Sequence, residues 1–348
     1  MTKPVPGARA GGAPRNRVMR LRAIAATLFG LAVLPALAEP IAISTQNLAY
    51  FEPSQQSRTM FGQLAYRGGL ELHSDDRRFG GLSGIAVLPN SDRLLMVSDT
   101  GYWLSLDVIE IDEILVGAAN AQIERIRMGD DQTPVRSGRA DAEGIDLRRT
   151  TEGVDLYASF ERVRRVGRFS WFDTDTLSAI RSTAELDVPD ELRHQQFNRG
   201  LEAIALPPVP GDDRFVILAE QPGRQPGEIP GWFWNQGSYQ AFTVPKSARY
   251  AITDAAFLPD GRLMVLERRF NLLDGVGARI RAFDLTKLMA KADRQGEVLF
   301  EATLRQQIDN MEGLAVRQTV EGRTFLYLVS DDNHAVLQRT LLLKFELI

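Results

Sequence analysis

Five oxygen-bearing residues stand at one position of a motif that the chain repeats: Ser83, Glu143, Glu202, Asp254 and Glu312. The copies run Gly81–Pro89, Asp141–Asp146, Gly200–Ala205, Ile252–Phe257 and Asn310–Ala315. Subtracting successive positions gives steps of 60, 59, 52 and 58 residues, the mark of a repeat architecture. Each copy is followed by a turn and a second short apolar run that ends at an acid: Asp99, Glu161, Glu220, Glu267 or Asp331. Carboxylates brought together in a partly dehydrated place repel one another. Either their pKa values rise or a cation sits among them. An all-oxygen set suits a hard ion. Ca²⁺ takes roughly six to eight oxygens in flexible geometry, whereas Mg²⁺ demands a strict octahedron. The first set is therefore expected to hold calcium, with Thr253 as an additional oxygen. The competing expectation is that these acids accept backbone N–H groups and stitch neighbouring repeats.

The second set is the candidate for general-base chemistry or a second cation, and basic residues accompany it. Arg162 follows Glu161, Arg268 and Arg269 follow Glu267, and His334 lies just beyond Asp331. Arg164, Arg165, Arg199 and Arg224 fall in loops expected on the same side. Guanidinium forks match phosphate oxygens, so Arg162, Arg268, Arg269 and His334 are the candidate substrate contacts. Simple ion pairing at a rim is the alternative.

These residues must be positioned by hairpins that begin and end at one edge. Each repeat supplies about four short apolar runs separated by turn residues, the pattern of an all-β propeller with four-stranded blades. Five inner hairpins predict five blades. A sixth would have to be assembled from the N-terminal strand, Phe61–His73, and the C-terminal segment, Val336–Ile348. Those two are better used to close the ring, since an open ring leaves sheet edges bare. In that fold the first acids line the axis and the second form a wider ring on the same face.

Composition narrows the function. A net charge of −4 argues against nucleic-acid binding. The absence of cysteine excludes disulfides and thiolate metal sites, and three scattered histidines do not make a zinc centre. Basic Arg15–Arg22, apolar Ala23–Leu34 and small Pro35–Ala38 have the order of a secretory signal. Residues 1–38 are expected to be removed, with 1–18 an upstream extension, 39–60 a linker and 61–348 the propeller. The product is expected in the periplasm or medium as a monomer without a membrane span.

The spaced set Leu82–Ala86, Val97–Gly101, Ala142–Ile145, Gly200–Ile204, Asn310–Ala315 and Ser330–Asn333 resembles the bacterial phytase-like family, labelled "esterase-like activity of phytase". The resemblance spans Gly62–Ile348 and implies an exported β-propeller linked to calcium-dependent phosphoester hydrolysis. Ser83, Glu143, Glu202 and Glu312 are also similar to the central calcium ligands of secreted calcium-activated apyrases. The fourth repeat departs, offering Thr253-Asp254 where that likeness implies a serine.

Two functions follow. One is a calcium-dependent hydrolase of a small phosphorylated substrate. The other is a non-catalytic, calcium-stabilised binding module, using Trp232, Trp234 and the Gln221–Gly231 loop. Serine-esterase chemistry has little behind it, because Ser83 lies in no Gly-x-Ser-x-Gly elbow.

Overall fold

The computed structural model describes Met1 and residues 38–348, apart from 130–131, 136–139, 173–175, 194–199, 210–211, 222–226, 248, 272–274 and 294. The chain divides into Met1–Pro35 and Ala36–Ile348, and the strands all fall in the second unit among the described residues. The expected leader, apart from Met1 and Ala38, lies outside the described residues.

Five sheets form a five-bladed β-propeller, as the repeats predict. Blade 1 runs from the axis outward through Leu82–Val87, Arg93–Ser98, Tyr102–Ile111 and Ile114–Arg125, with Glu39–Pro40 on its outer edge. Blade 2 is Ala142–Arg149, Gly153–Phe160, Arg165–Phe172 and Arg181–Asp187. Blade 3 is Leu201–Ala205, Phe215–Ala219, Glu228–Asn235 and Ser238–Pro245. Blade 4 is Ala251–Phe257, Leu263–Asn271, Gly275–Phe283 and Glu297–Thr303. Burial explains the sequence pattern. Second strands such as Phe215–Ala219 are covered on both faces and read as unbroken apolar runs. Outer strands such as Arg181–Asp187 alternate. The apolar clusters lie between neighbouring blades.

Blade 5 is Asn310–Gln318, Thr324–Asp331 and Leu341–Leu347, completed by Leu64–His73 from the other end of the chain. Leu341 pairs with Glu71 and Leu347 with Leu64, so the ends close the ring in one sheet. Residues 39–60 are not the expected linker. Ser44–Asn47 pairs outside Leu64–His73. Phe51 is fully buried, with its ring 4.7 Å from Phe61 and 5.1 Å from Phe345. That burial ties the segment down. Glu346 joins the closure, accepting from Arg323 at 2.7 Å and Arg67 at 2.8 Å.

The inner strands share an irregularity that decides the site. In each, the ladder slips at the same motif position: between Leu82 and Gly84, Ala142 and Ile145, Leu201 and Ala203, Ile252 and Asp254, and Met311 and Gly313. A bulge leaves a residue unpaired and re-aims its side chain. Ser83, Glu143, Glu202, Thr253 and Glu312 hold that position. Blade 4 therefore presents Thr253 where the sequence motif suggested Asp254. Asp254 stands one place further on, level with Gly84, Gly144 and Gly313. There the blades nearly touch: a Cβ on Gly144 would lie 2.7 Å from the Glu202 carbonyl oxygen, and one on Gly84 2.9 Å from that of Glu143.

The second set moves by one in the same blade. Ile252 pairs with Glu267 and Ala251 with Arg268. Arg268, not Glu267, is thus the ladder equivalent of Asp99, Glu161, Glu220 and Asp331.

Candidate functional site

The tightest acidic group at the axial mouth belongs to blade 2. Asp141, Glu143 and Glu161 each bring a carboxylate oxygen within 4.8 Å of the other two. Asp141 precedes the bulge and Glu143 is in it. Glu161 closes the hairpin, its N–H donating to Asp141 O at 2.9 Å. Burial, then Asp141, Glu312, Glu161 and Asp99, push the Glu143 carboxyl well up. Burial, then Asp141, raise Glu161. Burial, then Glu143, raise Glu202 strongly. Oδ1 of Asp99, on blade 1, is buried without a hydrogen-bond partner among the described residues. Crowded carboxylates and an orphaned oxygen are what a hard cation would satisfy. The group can hold a metal ion.

Asp141 was missed in the sequence. Its ladder position is occupied by Gly81, Gly200, Ala251 and Asn310 in the other blades, so the repeat gave no signal there. The Asp141-x-Glu143 spacing across a bulge was the available clue.

The hydroxyl members of the inner ring have a second task. Ser83 Oγ donates to Ala142 O of the next blade. Thr253 Oγ1 donates to Met311 O at 3.1 Å, likewise one blade on. Their protons are thus used between blades, while their lone pairs can still face a cation. Asp254 is fully buried and accepts from Ala255 N at 2.8 Å and Leu314 N at 2.7 Å. Asp146 does the same between blades 2 and 3, with Leu147 N and Leu206 N at 2.7 Å each. These two carboxylates are inter-blade stitches.

The blade 4–5 side adds a cation among further acids. Arg268 Nη1 lies 2.8 Å from Glu312 Oε1 and donates to Asn310 Oδ1, and Nη2 is 3.7 Å from Glu220 Oε1. Asn310 Nδ2 in turn donates to Glu312 at 2.7 Å. Burial opposes the Arg268 charge, but Glu312, Glu220, Glu202 and Asp331 outweigh it and raise its pKa. Burial pushes Glu312 up to about 8 against the pull of Arg268. Asp331 is pushed to about 6, again chiefly by burial, while accepting from Asn333 N at 2.7 Å.

The remaining candidates divide. Glu267 has no exposed surface and is held by Arg281 at 2.6 Å and Arg279 at 2.8 Å, so it is a structural anion inside blade 4. Arg269 lies over the Tyr250 ring at 5.1 Å. Arg162 reaches Asp141 Oδ2 at 2.6 Å from the rim. The His334 ring rests against Gly80 and Gly81, close to Asp99. Arg165 turns to Glu185 at 2.5 Å. Arg199 and Arg224 lie outside the described residues, as does part of the Gln221–Gly231 loop. Trp232 is buried and Trp234 stacks on Phe215 at 5.7 Å, so both serve the core.

These features define a five-bladed propeller with an acidic axial mouth. The chain belongs to the phytase-like family, whose model, described as "Esterase-like activity of phytase", matches residues 77–334. No curated protein matches the sequence. Among solved structures, it is similar to a bifunctional GH43-CE protein of Bacteroides eggerthii. That match has 12% identity, a TM-score of 0.44, and covers 76% of this chain and 33% of the other. It is also similar to Raptor of Chaetomium thermophilum, with 9% identity, a TM-score of 0.38, and coverage of 75% and 20%. The chain thus spans a third or less of either structure's length.

Proposed function

We propose that this protein is an exported, calcium-dependent phosphoester hydrolase. The observation that carries the reading is the juxtaposition at one mouth of an all-oxygen acidic group, Asp141, Glu143 and Glu161, with a guanidinium, Arg268. Glu202, Glu312 and the lone pairs of Ser83 and Thr253 complete the oxygen set that calcium would draw on. A bound calcium would polarise phosphoryl oxygens and offset their charge. Arg268 binds and orients the phosphate. Attack of a water oxygen on phosphorus breaks the P–O bond to the esterified group. The water proton passes to a carboxylate of the wider ring, Asp99 or Asp331, and the departing alkoxide takes a proton from solvent.

The test is phosphate release from phenyl phosphate, nucleotides and phytate, with calcium and with chelator. Calcium-dependent release that Glu143→Gln abolishes supports the hydrolase. A protein that calcium stabilises but that releases phosphate from none of these esters is the non-catalytic binding module. The hydroxyl bonds of Ser83 and Thr253 to the next blade favour that second reading, since they show ring oxygens already holding blades together. Export rests on the residue order of Arg15–Ala38, and a purified mature chain beginning elsewhere than Glu39 would count against it.

A further inference from the structure

Acids surround the mouth, and one side also carries a cation. Asp99, Asp141, Glu143 and Glu161 gather on blades 1 and 2, while Arg268, flanked by Glu312, Glu220 and Asp331, stands on the other side. From Arg268 a cleft of about 370 Å³ opens outward across blades 3, 4 and 5. Its wall includes Arg249, Phe270, Asn333 and Gln338. Phe270 is the penultimate residue of the second strand of blade 4 and is 73% exposed. It contributes little to the core, yet it presents an aromatic ring at the edge of a polar cleft beside a guanidinium.

We infer that this cleft seats the esterified group of the substrate, and that this group is a flat aromatic ring. The proposal deepens the hydrolase reading and rests on it. A phosphate held between the acidic group's cation and Arg268 directs its ester substituent into the cleft. A planar ring lying on Phe270 removes apolar surface from water on both partners. Stacking of a base on an aromatic side chain is worth roughly five- to a hundredfold in affinity. The cleft lining carries Arg249 and Arg268 against Glu220, so charge alone does not choose between a polyphosphorylated sugar alcohol and an aryl ester; the exposed ring of Phe270 does.

The test uses the calcium-loaded full protein. Phenyl phosphate should exceed glycerol 2-phosphate in kcat/KM by about tenfold or more. Phe270→Ala should remove most of that preference while changing glycerol 2-phosphate less than about twofold, and Phe270→Trp should retain it. Equal use of the two esters by the wild type, or equal loss of both in Phe270→Ala, overturns the assignment. If neither ester is hydrolysed, the hydrolase reading fails separately. The cleft is then tested by calorimetry with phenylphosphonate and methylphosphonate. Preference for the phenyl compound that Phe270→Ala erases supports the subsite, and equal or absent binding overturns it.

Discussion

Arg268 of blade 4 places Nη1 2.8 Å from Glu312 Oε1 of blade 5, filling with a cation the ladder position where the other four blades carry an acid. The mouth therefore neutralises part of its own charge. Arg268→Met should weaken the metal-free fold by about 1–2 kcal/mol, less than for a fully buried pair, because 29% of the Arg268 side chain is exposed and Glu312 can take up a proton instead. The same change should tighten calcium binding severalfold, because the site becomes more negative. Denaturant unfolding and calcium calorimetry check both. Looser calcium binding would contradict the assigned role.

The Asp141–Glu143–Glu161 group predicts which substitutions matter for metal. Calcium at about one hundred times its Kd stabilises the folded state by roughly 2.7 kcal/mol, or about 4 °C in Tm for a domain of this length. Asp141→Asn and Glu161→Gln should each cut that shift by half or more, and Glu267→Gln should leave its size unchanged while lowering Tm overall. Thermal melts with and without calcium decide. A shift lost in Glu267→Gln but kept in Asp141→Asn would relocate the metal.

The raised carboxyls give the metal-free protein a particular pH dependence. Glu312 is pushed to about 8 and Asp331 to about 6, and Glu143 and Glu202 are well above their ordinary values. A carboxyl raised by folding favours the folded state while it keeps its proton. That contribution is full below the unfolded value of about 4.3 and is lost as the pH climbs through the folded value. Tm in chelator should therefore fall between about pH 5 and pH 8, and saturating calcium should flatten the fall. A rise in chelator over that range would show the acids to be ionised and well solvated. At the acid end Glu346 acts in the opposite sense. Arg323 first, with Arg67, holds its carboxyl down to about 2, so the closure loses its contribution as the pH drops from about 4.3 toward that value.

Ring closure predicts a cost far from the mouth. Phe51 is fully buried against Phe61 and Phe345. Phe51→Ala should destabilise by about 3–5 kcal/mol with little change in calcium affinity. Truncation of residues before Phe61 should cost at least as much. A silent truncation would mean that the segment is merely laid on the surface.

The repeats made the fold legible, because every inner strand carries the same motif and each second strand holds a short apolar run. They also showed which strand ends face the axis. What they misplaced lies in blade 4. With Glu267 and Asp254 both acidic, the sequence offers a carboxylate at each motif position, and only the ladder shows that both are displaced by one residue. Asp254 is then consumed by Leu314 N, and Glu267 by two arginines. Arg268 was visible as a basic neighbour but not as a ring member. Asp141 was hidden because its counterparts are glycine, alanine and asparagine. A periodic pattern reports what the blades share, and the chemistry here sits partly where they differ.

The closure also sets an order in time. Leu64–His73 is among the first strands synthesised, yet its partner Leu341–Leu347 begins 268 residues later (341 − 73). At roughly 5–20 residues per second, it waits about 13–54 s for that partner. Throughout this interval a ten-residue strand lacks the neighbour that covers its inner edge. Its composition suits the delay: Arg67 and Glu71 interrupt the apolar run, and Gly68-Gly69 weaken its extended form. Arg67, which later donates to Glu346, is thus also a charge of the kind that discourages newly made strands from pairing with one another.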